Sequence, residues 1–251
     1  MTHPLRQTTV SVFDDKTSMG QAAASAGGEL VRAAIAERGE AFIIVATGAS
    51  QFEFLEAFVR EDVDWAKVTM FHLDEYIDLP ESHPASFRGY LKGRFTSKVP
   101  LRQAHFVNGE TGDAAGECRR LGEIIRRVTI DAAFVGVGEN GHLAFNDPPA
   151  DFETAEPFLV VELDEACRNQ QVGEGWFDSI GEAPTRAISM SIREILRARA
   201  IVVTCPDRRK AEAVRGTLEG PVTPEVPASV LRRHRDCRFF LDKASASLLP
   251  S

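Results

Sequence analysis

Short apolar runs rich in β-branched residues recur along this chain, and longer stretches with helical spacing separate them. The runs at 10–13 (VSVF), 42–47 (FIIVAT), 68–73 (VTMFHL), 131–137 (DAAFVGV), 158–163 (FLVVEL), 186–192 (RAISMSI), 199–205 (RAIVVTC) and 238–241 (RFFL) predict strands. Apolar residues at helical spacing predict helices near 17–38, 50–61, 84–95, 113–128, 208–219 and 226–233. This alternation predicts an α/β fold: a three-layer, mostly parallel open sheet with helices on both faces. No repeat, low-complexity tract or Pro/Gly linker divides the chain, so residues 1–251 read as a single domain.

Composition narrows the class. A chain of 251 residues with 43% hydrophobic and 26% charged residues can bury a large core without staples. The formal charge of −8 argues against a sequence-independent grip on nucleic acid. It does not exclude a small anion, because a few backbone amides bind phosphate even in an acidic protein. Cys118, Cys167, Cys205 and Cys237 are scattered without a C-x-x-C pair, which predicts reduced thiols and no zinc site. The opening MTHPLRQTTVSVFDD lacks the apolar core of a signal peptide, and apolar runs such as AFIIVA at 41–46 are too short to span a bilayer. A cytoplasmic protein that does not engage a membrane is expected.

Ligands of open α/β sheets collect at the carboxyl ends of the strands, and three such places carry chemistry. Thr47-Gly48-Ala49-Ser50 follows one strand and opens a helix, so its amides and hydroxyls could converge on a phosphate. Taken by itself, the plainer reading is a tight turn at Gly48 with Ser50 as an N-cap. Asp74-Glu75-Tyr76 follows the strand VTMFHL; adjacent side chains of an extended chain point oppositely, so one carboxylate of the pair would face a given pocket. The competing reading is a solvated acidic turn. His72 within that strand reads as a packed or edge histidine, and His83 before Pro84 as a helix entry. The third place is GVGENGHLAFNDPP at 136–149, where Gly136, Gly138 and Gly141 spell G-x-G-x-x-G. A dinucleotide fingerprint needs a full helix after the glycines, and Pro148-Pro149 follow too soon to allow one. The glycines instead shape a loop presenting His142, Asn146 and Asp147, a histidine–carboxylate arrangement suited to acid–base work.

Together these segments resemble the glucosamine-6-phosphate deaminase (isomerase) family and the related 6-phosphogluconolactonases, from about residue 10 to 245. TGAS resembles the family's phosphate loop, and LDEYIDLPESHPASF its segment M-D-E-Y-x-x-L-x-x-x-H-P-x-S-Y. GVGENGHLAFNDP is similar to G-x-G-x-[DN]-G-H-I-A-F-N-E-P, and KAEAVRGTLEG…PASVLRRH to the family's closing pattern. The lactonases continue their glycine loop as G-H-T-A-S-L-F-P, whereas Leu143-Ala144-Phe145-Asn146 follow His142 here, the deaminase form. Three positions depart from the pattern, and a fourth takes one of the two forms that members carry. Asn140 stands where members carry Asp or Asn, Asp147 replaces Glu, Phe87 replaces Tyr, and Gly175 occupies the place of an Arg before the aromatics Trp176-Phe177.

The resemblance implies an enzyme that isomerises and deaminates glucosamine 6-phosphate to fructose 6-phosphate and ammonia. It implies that His142, oriented by Asp147 and Asn140, opens the sugar ring, and that Asp74 moves a proton from carbon 2 to carbon 1. It assigns the phosphate to Thr47, Gly48, Ala49, Ser50 and Lys210, with Arg168 as the nearest stand-in for the missing arginine. No metal or organic cofactor is implied, the expected partner is a small sugar phosphate, and a homo-oligomer is left open. The alternatives are a 6-phosphogluconolactonase and a non-catalytic phosphosugar sensor.

Overall fold

The computed structural model describes residues 7–250, so the first six residues of the amino-terminal segment considered above lie outside it. In chain order the strands are β1 (Gln7–Phe13), β2 (Ala41–Val45), β3 (Val68–His72), β4 (Asp74–Tyr76), β5 (Gln103–His105), β6 (Ala132–Val135), β7 (Phe158–Glu162), β8 (Arg186–Met190), β9 (Ala200–Cys205) and β10 (Asp236–Asp242). The α-helices are α1 (Lys16–Arg38), α2 (Phe52–Phe58), α3 (Phe87–Leu91), α4 (Ala114–Ile125), α5 (Glu165–Gly173), α6 (Ile192–Ile195) and α7 (Ala211–Glu219).

Seven strands form one parallel sheet in the order β1-β10-β9-β6-β2-β3-β5. Its central strands are apolar on both faces, as a sheet covered by helices on both sides requires. Along β2 and β6 the alternation is visible residue by residue. Ile43, Val45, Ala132 and Phe134 pack with Met19 and Val31 of α1 and Phe54 and Phe58 of α2. Ile44, Ala133 and Val135 face the other way, onto Leu121 and Ile125 of α4 and Val214 of α7. The three-layer α/β expectation holds.

The runs at 158–163 and 186–192 do not join this sheet. They pair with each other and with β4 in a separate antiparallel sheet of order β4-β8-β7. β7 alternates buried and open positions along its length, the signature of a strand with one wet face. Under this small sheet lies a third cluster built from Tyr76, Phe87, Phe145, Phe177 and Ala187. The helix expected over 84–95 divides into α3 and a π-turn at 92–96, and that expected over 226–233 is a 3₁₀ helix at 227–233. Among the described residues, no helix is long and apolar enough to cross a membrane.

Two features of this topology position a site. The chain leaves β2 toward β3 and β5 on one side, and leaves β6 toward β9, β10 and β1 on the other. The boundary between β2 and β6 is therefore a topological switch point, where the loops diverge and open a crevice. In addition, β3 ends at His72 and β4 begins at Asp74, so Asp74 sits where the chain passes from one sheet to the other.

Candidate active site

A cleft of about 230 Å³ opens at the carboxyl ends of β2, β3, β6 and β9. Thr47, Gly48, Ala49, Ser50, Asp74, His142 and Lys210 all line it, although they come from four separate segments. Asn140 and Asp147 lie behind His142 rather than on the wall.

The loop after β2 is not the simple cap that Ser50 could have made. Neither the 3₁₀ turn at 49–51 nor α2 has a side-chain cap. The Ser50 hydroxyl instead accepts from Gln51 Nε2 at 3.2 Å, and that amide also donates to Thr204 Oγ1 of β9 at 2.7 Å. Gly48 has φ of 95°, open to glycine and costly for other residues. The Tyr90 hydroxyl donates to the Gly48 carbonyl at 2.9 Å and pins that oxygen. With the carbonyl held there, the turn keeps one conformation beside the cleft.

Asp74 and Glu75 are both buried, which rules out the solvated acidic turn. They point opposite ways, as an extended chain requires. Glu75 accepts hydrogen bonds from the amides of Phe87 (3.1 Å) and Arg88 (2.8 Å) and from the Ser86 hydroxyl (3.1 Å). It thus closes the amino end of α3. Asp74 faces the cleft, and its Oδ1 is buried without a hydrogen-bond partner among the described residues. Burial, reinforced by the Glu75 charge, pushes the Asp74 carboxyl well above its ordinary value. A carboxylate so placed is a stronger base than one in water.

Across the cleft, the glycine loop runs from β6 to Pro149 without forming a helix, so the dinucleotide reading fails for the reason the prolines gave. A Cβ at Gly138 would collide with the His142 imidazole, so only glycine lets that ring lie against the loop. His142 Nδ1 is 3.1 Å from Asp147 Oδ1, off the line of a straight hydrogen bond. Asn140 bridges the pair: its Nδ2 donates to Asp147 Oδ1 at 3.3 Å and its Oδ1 accepts the His142 amide at 3.0 Å. Burial works to raise the Asp147 carboxyl, but His142, Asn140 and the Asp164 amide outweigh it and hold it below its ordinary value. Asp147 is therefore the ionised carboxylate of the site and Asp74 the one held toward neutrality. The shorter Asp still reaches the imidazole. Asn146 turns away, donating to the carbonyls of Leu143 (2.7 Å) and Met190 (2.9 Å), and serves to tie the loop to β8.

His142, Asp147 and Cys167 bring three ligand-type atoms within 4.8 Å of one another, a grouping the sequence did not suggest. Burial and then the carboxylates of Asp147 and Asp164 push the Cys167 thiol far up. The cluster reads as a packed thiol beside the imidazole–carboxylate pair. The four cysteines are free.

Lys210, also on the cleft wall, is buried in the turn that opens α7. Arg168 does not line the cleft. Its guanidinium donates to the carbonyls of Ile180 (2.5 Å) and Ala183 (3.0 Å) and fastens α5 to the following loop. It is not the stand-in for the missing arginine. Residues not singled out from sequence also line the cleft: Lys16, Arg209, Gln170, Gln171 and Glu174. The run Arg208-Arg209-Lys210 carried a usable signal, since cations at a helix amino terminus oppose the dipole and ask for a compensating anion. Glu174 carried none, because α5 itself was not foreseen.

An unpaired buried carboxylate faces an imidazole–carboxylate pair across a crevice that ends in a loop and a buried lysine, all at the switch point of a parallel sheet. That arrangement defines an α/β protein with an acid–base cleft for a small anionic ligand. The chain belongs to the glucosamine-6-phosphate isomerases/6-phosphogluconolactonase family, which it matches over residues 14–239. It is 35% identical to a glucosamine-6-phosphate deaminase of Latilactobacillus sakei over 223 residues, 89% of this chain and 93% of that protein. A deaminase of Exiguobacterium sibiricum is 36% identical over 205 residues, 82% of this chain and 80% of that protein. Among solved structures, a monomeric glucosamine-6-phosphate deaminase superposes with a TM-score of 0.87 at 29% identity, covering 96% of this chain and 99% of that one. A 6-phosphogluconolactonase from Trypanosoma brucei shares the fold, with a TM-score of 0.81 at 17% identity over 98% of this chain and 100% of that one.

Proposed function

We propose that this protein converts glucosamine 6-phosphate and water to fructose 6-phosphate and ammonia. The observation that carries the reading is Asp74, a buried carboxylate with one oxygen unpartnered, in the same cleft as the imidazole of His142.

The reaction needs a proton shuttle at two places. His142, steadied by Asp147 and Asn140, takes the proton of the anomeric hydroxyl and returns one to the ring oxygen, opening the pyranose to the aldehyde. The aldehyde acidifies carbon 2, and Asp74 removes that proton to give an enolamine. Delivery of the proton to carbon 1 leaves an imine at carbon 2. Water adds there and ammonia departs, so no electrons are exchanged with a second substrate. A positioned base contributes roughly 10²–10⁴ in rate, and burial makes Asp74 a stronger base than a solvated carboxylate.

The phosphate would lie at the opposite end, against the amides of residues 48–50 and the Lys210 ammonium. Thr47 and Ser50 supply hydroxyls there. Support for the deaminase over the lactonase reading comes from relatives above one third identity that are deaminases, whereas the lactonase likeness is one of fold. The test is a coupled assay for ammonia release from glucosamine 6-phosphate, run beside 6-phosphogluconolactone hydrolysis. Ammonia release at an enzymatic rate is expected. Lactone hydrolysis alone would reverse the reading, and tight binding of the sugar phosphate with no turnover would make the protein a sensor.

A further inference from the structure

The cations of the cleft are not free to receive an anion. Each one that lines it stands beside a carboxylate that lines it too: Lys16 with Glu53 at 3.2 Å, Arg209 with Asp207 at 3.6 Å, and Lys210 with Glu174 at 3.9 Å. The first two pairs are open to water, with side chains of Lys16 and Arg209 63% and 47% exposed, and solvent screens them. The third is different. The side chains of Lys210 and Glu174 are each 7% exposed, so their mutual field, and any field they exert on a ligand, is little screened.

Glu174 is also held in place. Its Oε1 accepts from Gln170 Nε2 at 2.9 Å and its Oε2 from Trp176 Nε1 at 3.2 Å. Trp176 in turn packs edge-on against Phe52, at the start of α2 beyond the 47–50 loop. By contrast, 3.9 Å between Lys210 Nζ and Glu174 Oε1 is too long for a hydrogen bond. The lysine is neutralised without being engaged, and a group inserted between the two would meet both charges.

We propose that Glu174 sets the affinity of the anion pocket: it competes with the substrate's phosphate for Lys210 and weakens the site's grip on phosphate esters. The inference rests on the phosphate-site reading above and adds to it an opposing charge fixed in the anion pocket. Substrate and product of the proposed reaction share the phosphate, so the carboxylate loosens both alike. A loss of uniform binding of this kind raises KM and speeds product release without stabilising the transition state.

The test uses inorganic phosphate, whose binding is measured by calorimetry on the full-length protein, so turnover plays no part. Four proteins are compared: wild type, Glu174→Gln, Lys210→Ala and the double variant. The Gln side chain keeps an acceptor for Gln170 or Trp176 and removes only the charge. Removing one charge at this separation should tighten phosphate binding about tenfold, within the range set by Coulomb attraction at intermediate dielectric. In the Lys210→Ala background the same change should gain less, because competition for the lysine is gone and only direct repulsion of the anion is relieved. A Glu174→Gln affinity equal to or weaker than wild type overturns the proposal. So does a tenfold gain that persists undiminished without Lys210, which would indicate a general field and no competition. If Lys210→Ala leaves phosphate affinity unchanged, the phosphate-site reading itself fails, which separates the two. Thermal unfolding reports whether each variant folds. If Glu174→Gln does not fold, Glu174→Asp, which withdraws the charge by one methylene, should give a smaller gain of the same sign, and no gain overturns the proposal.

Discussion

Asp74→Asn separates chemistry from stability at one atom. The amide preserves the size of the side chain and removes both its basicity and its charge. With no general base at carbon 2, turnover should fall roughly 10²–10⁴-fold, a loss of about 3–5 kcal/mol of transition-state stabilisation. The same change should make the protein more stable. The folded-state carboxyl of Asp74 is held well above its ordinary value of 3.8, first by burial and then by the Glu75 charge. The stability that the neutral form contributes is therefore complete below the unfolded value and is lost as pH rises through the raised one. Asparagine cannot ionise, so the variant escapes this loss. Relieving such strain at a functional site is commonly worth about 0.5–2 kcal/mol, and 1 kcal/mol shifts Tm by about 2–4 °C in a chain of this size. Wild type and variant should thus differ least below the unfolded value of 3.8 and diverge in favour of the variant as pH rises above it. Thermal unfolding from about pH 3.5 to 8.5, paired with initial rates of ammonia release near neutral pH, reads both effects. More than a tenth of wild-type turnover in Asp74→Asn would refute the base assignment. A variant that melts below wild type at pH 8 would refute the account of a destabilising buried charge.

His142→Gln should slow the closed anomer far more than an acyclic substrate analogue, and equal slowing in a rate comparison would place His142 outside ring opening. Lys210→Ala should weaken glucosamine 6-phosphate binding roughly ten- to a hundredfold, as loss of a charge-assisted contact of about 1.5–3 kcal/mol implies; unphosphorylated glucosamine should be a very poor substrate in the same assay. Glu75→Ala leaves the Phe87 and Arg88 amides without their acceptor and should cost about 2–4 kcal/mol of stability by denaturant unfolding, while a loss below 0.5 kcal/mol would show that water replaces the carboxylate.

The parts of the fold legible in the sequence were those whose local signal matches their tertiary role. β2, β6 and β9 are buried on both faces and read as continuous apolar runs. β7 and β8 gave equally clear runs, but a run does not name its partner, and their antiparallel pairing with β4 depends on contacts far away in sequence. β4 and β5 are three residues each, too short for a period. α5 buries only Cys167 and Gln171, so it has no apolar stripe to detect. Its one visible mark was Asp164, an N-cap that accepts from the Cys167 amide. Missing α5 meant missing Glu174, and Arg168 was then assigned by proximity in sequence to a role that its backbone contacts preclude.

The pair Asp74-Glu75 shows why the chemistry was more legible than the specificity. One residue of register sends two carboxyl groups to opposite sides of β4, and their surroundings then divide the labour. Glu75 receives three donors from the start of α3 and becomes a structural anchor. Asp74 receives no donor at Oδ1 and stays reactive. The anchor also perturbs the reactive group, since its charge adds to the burial that lifts the Asp74 carboxyl. Both residues therefore have to be acidic, adjacent and extended, and such a requirement leaves a compact mark in a sequence. Lys210 and Glu174, to which we assign the grip on phosphate, are 36 positions apart by their numbering and share the cleft with the 47–50 loop. Each residue alone reads as an ordinary charged side chain, and only their shared burial gives either of them leverage on an anion.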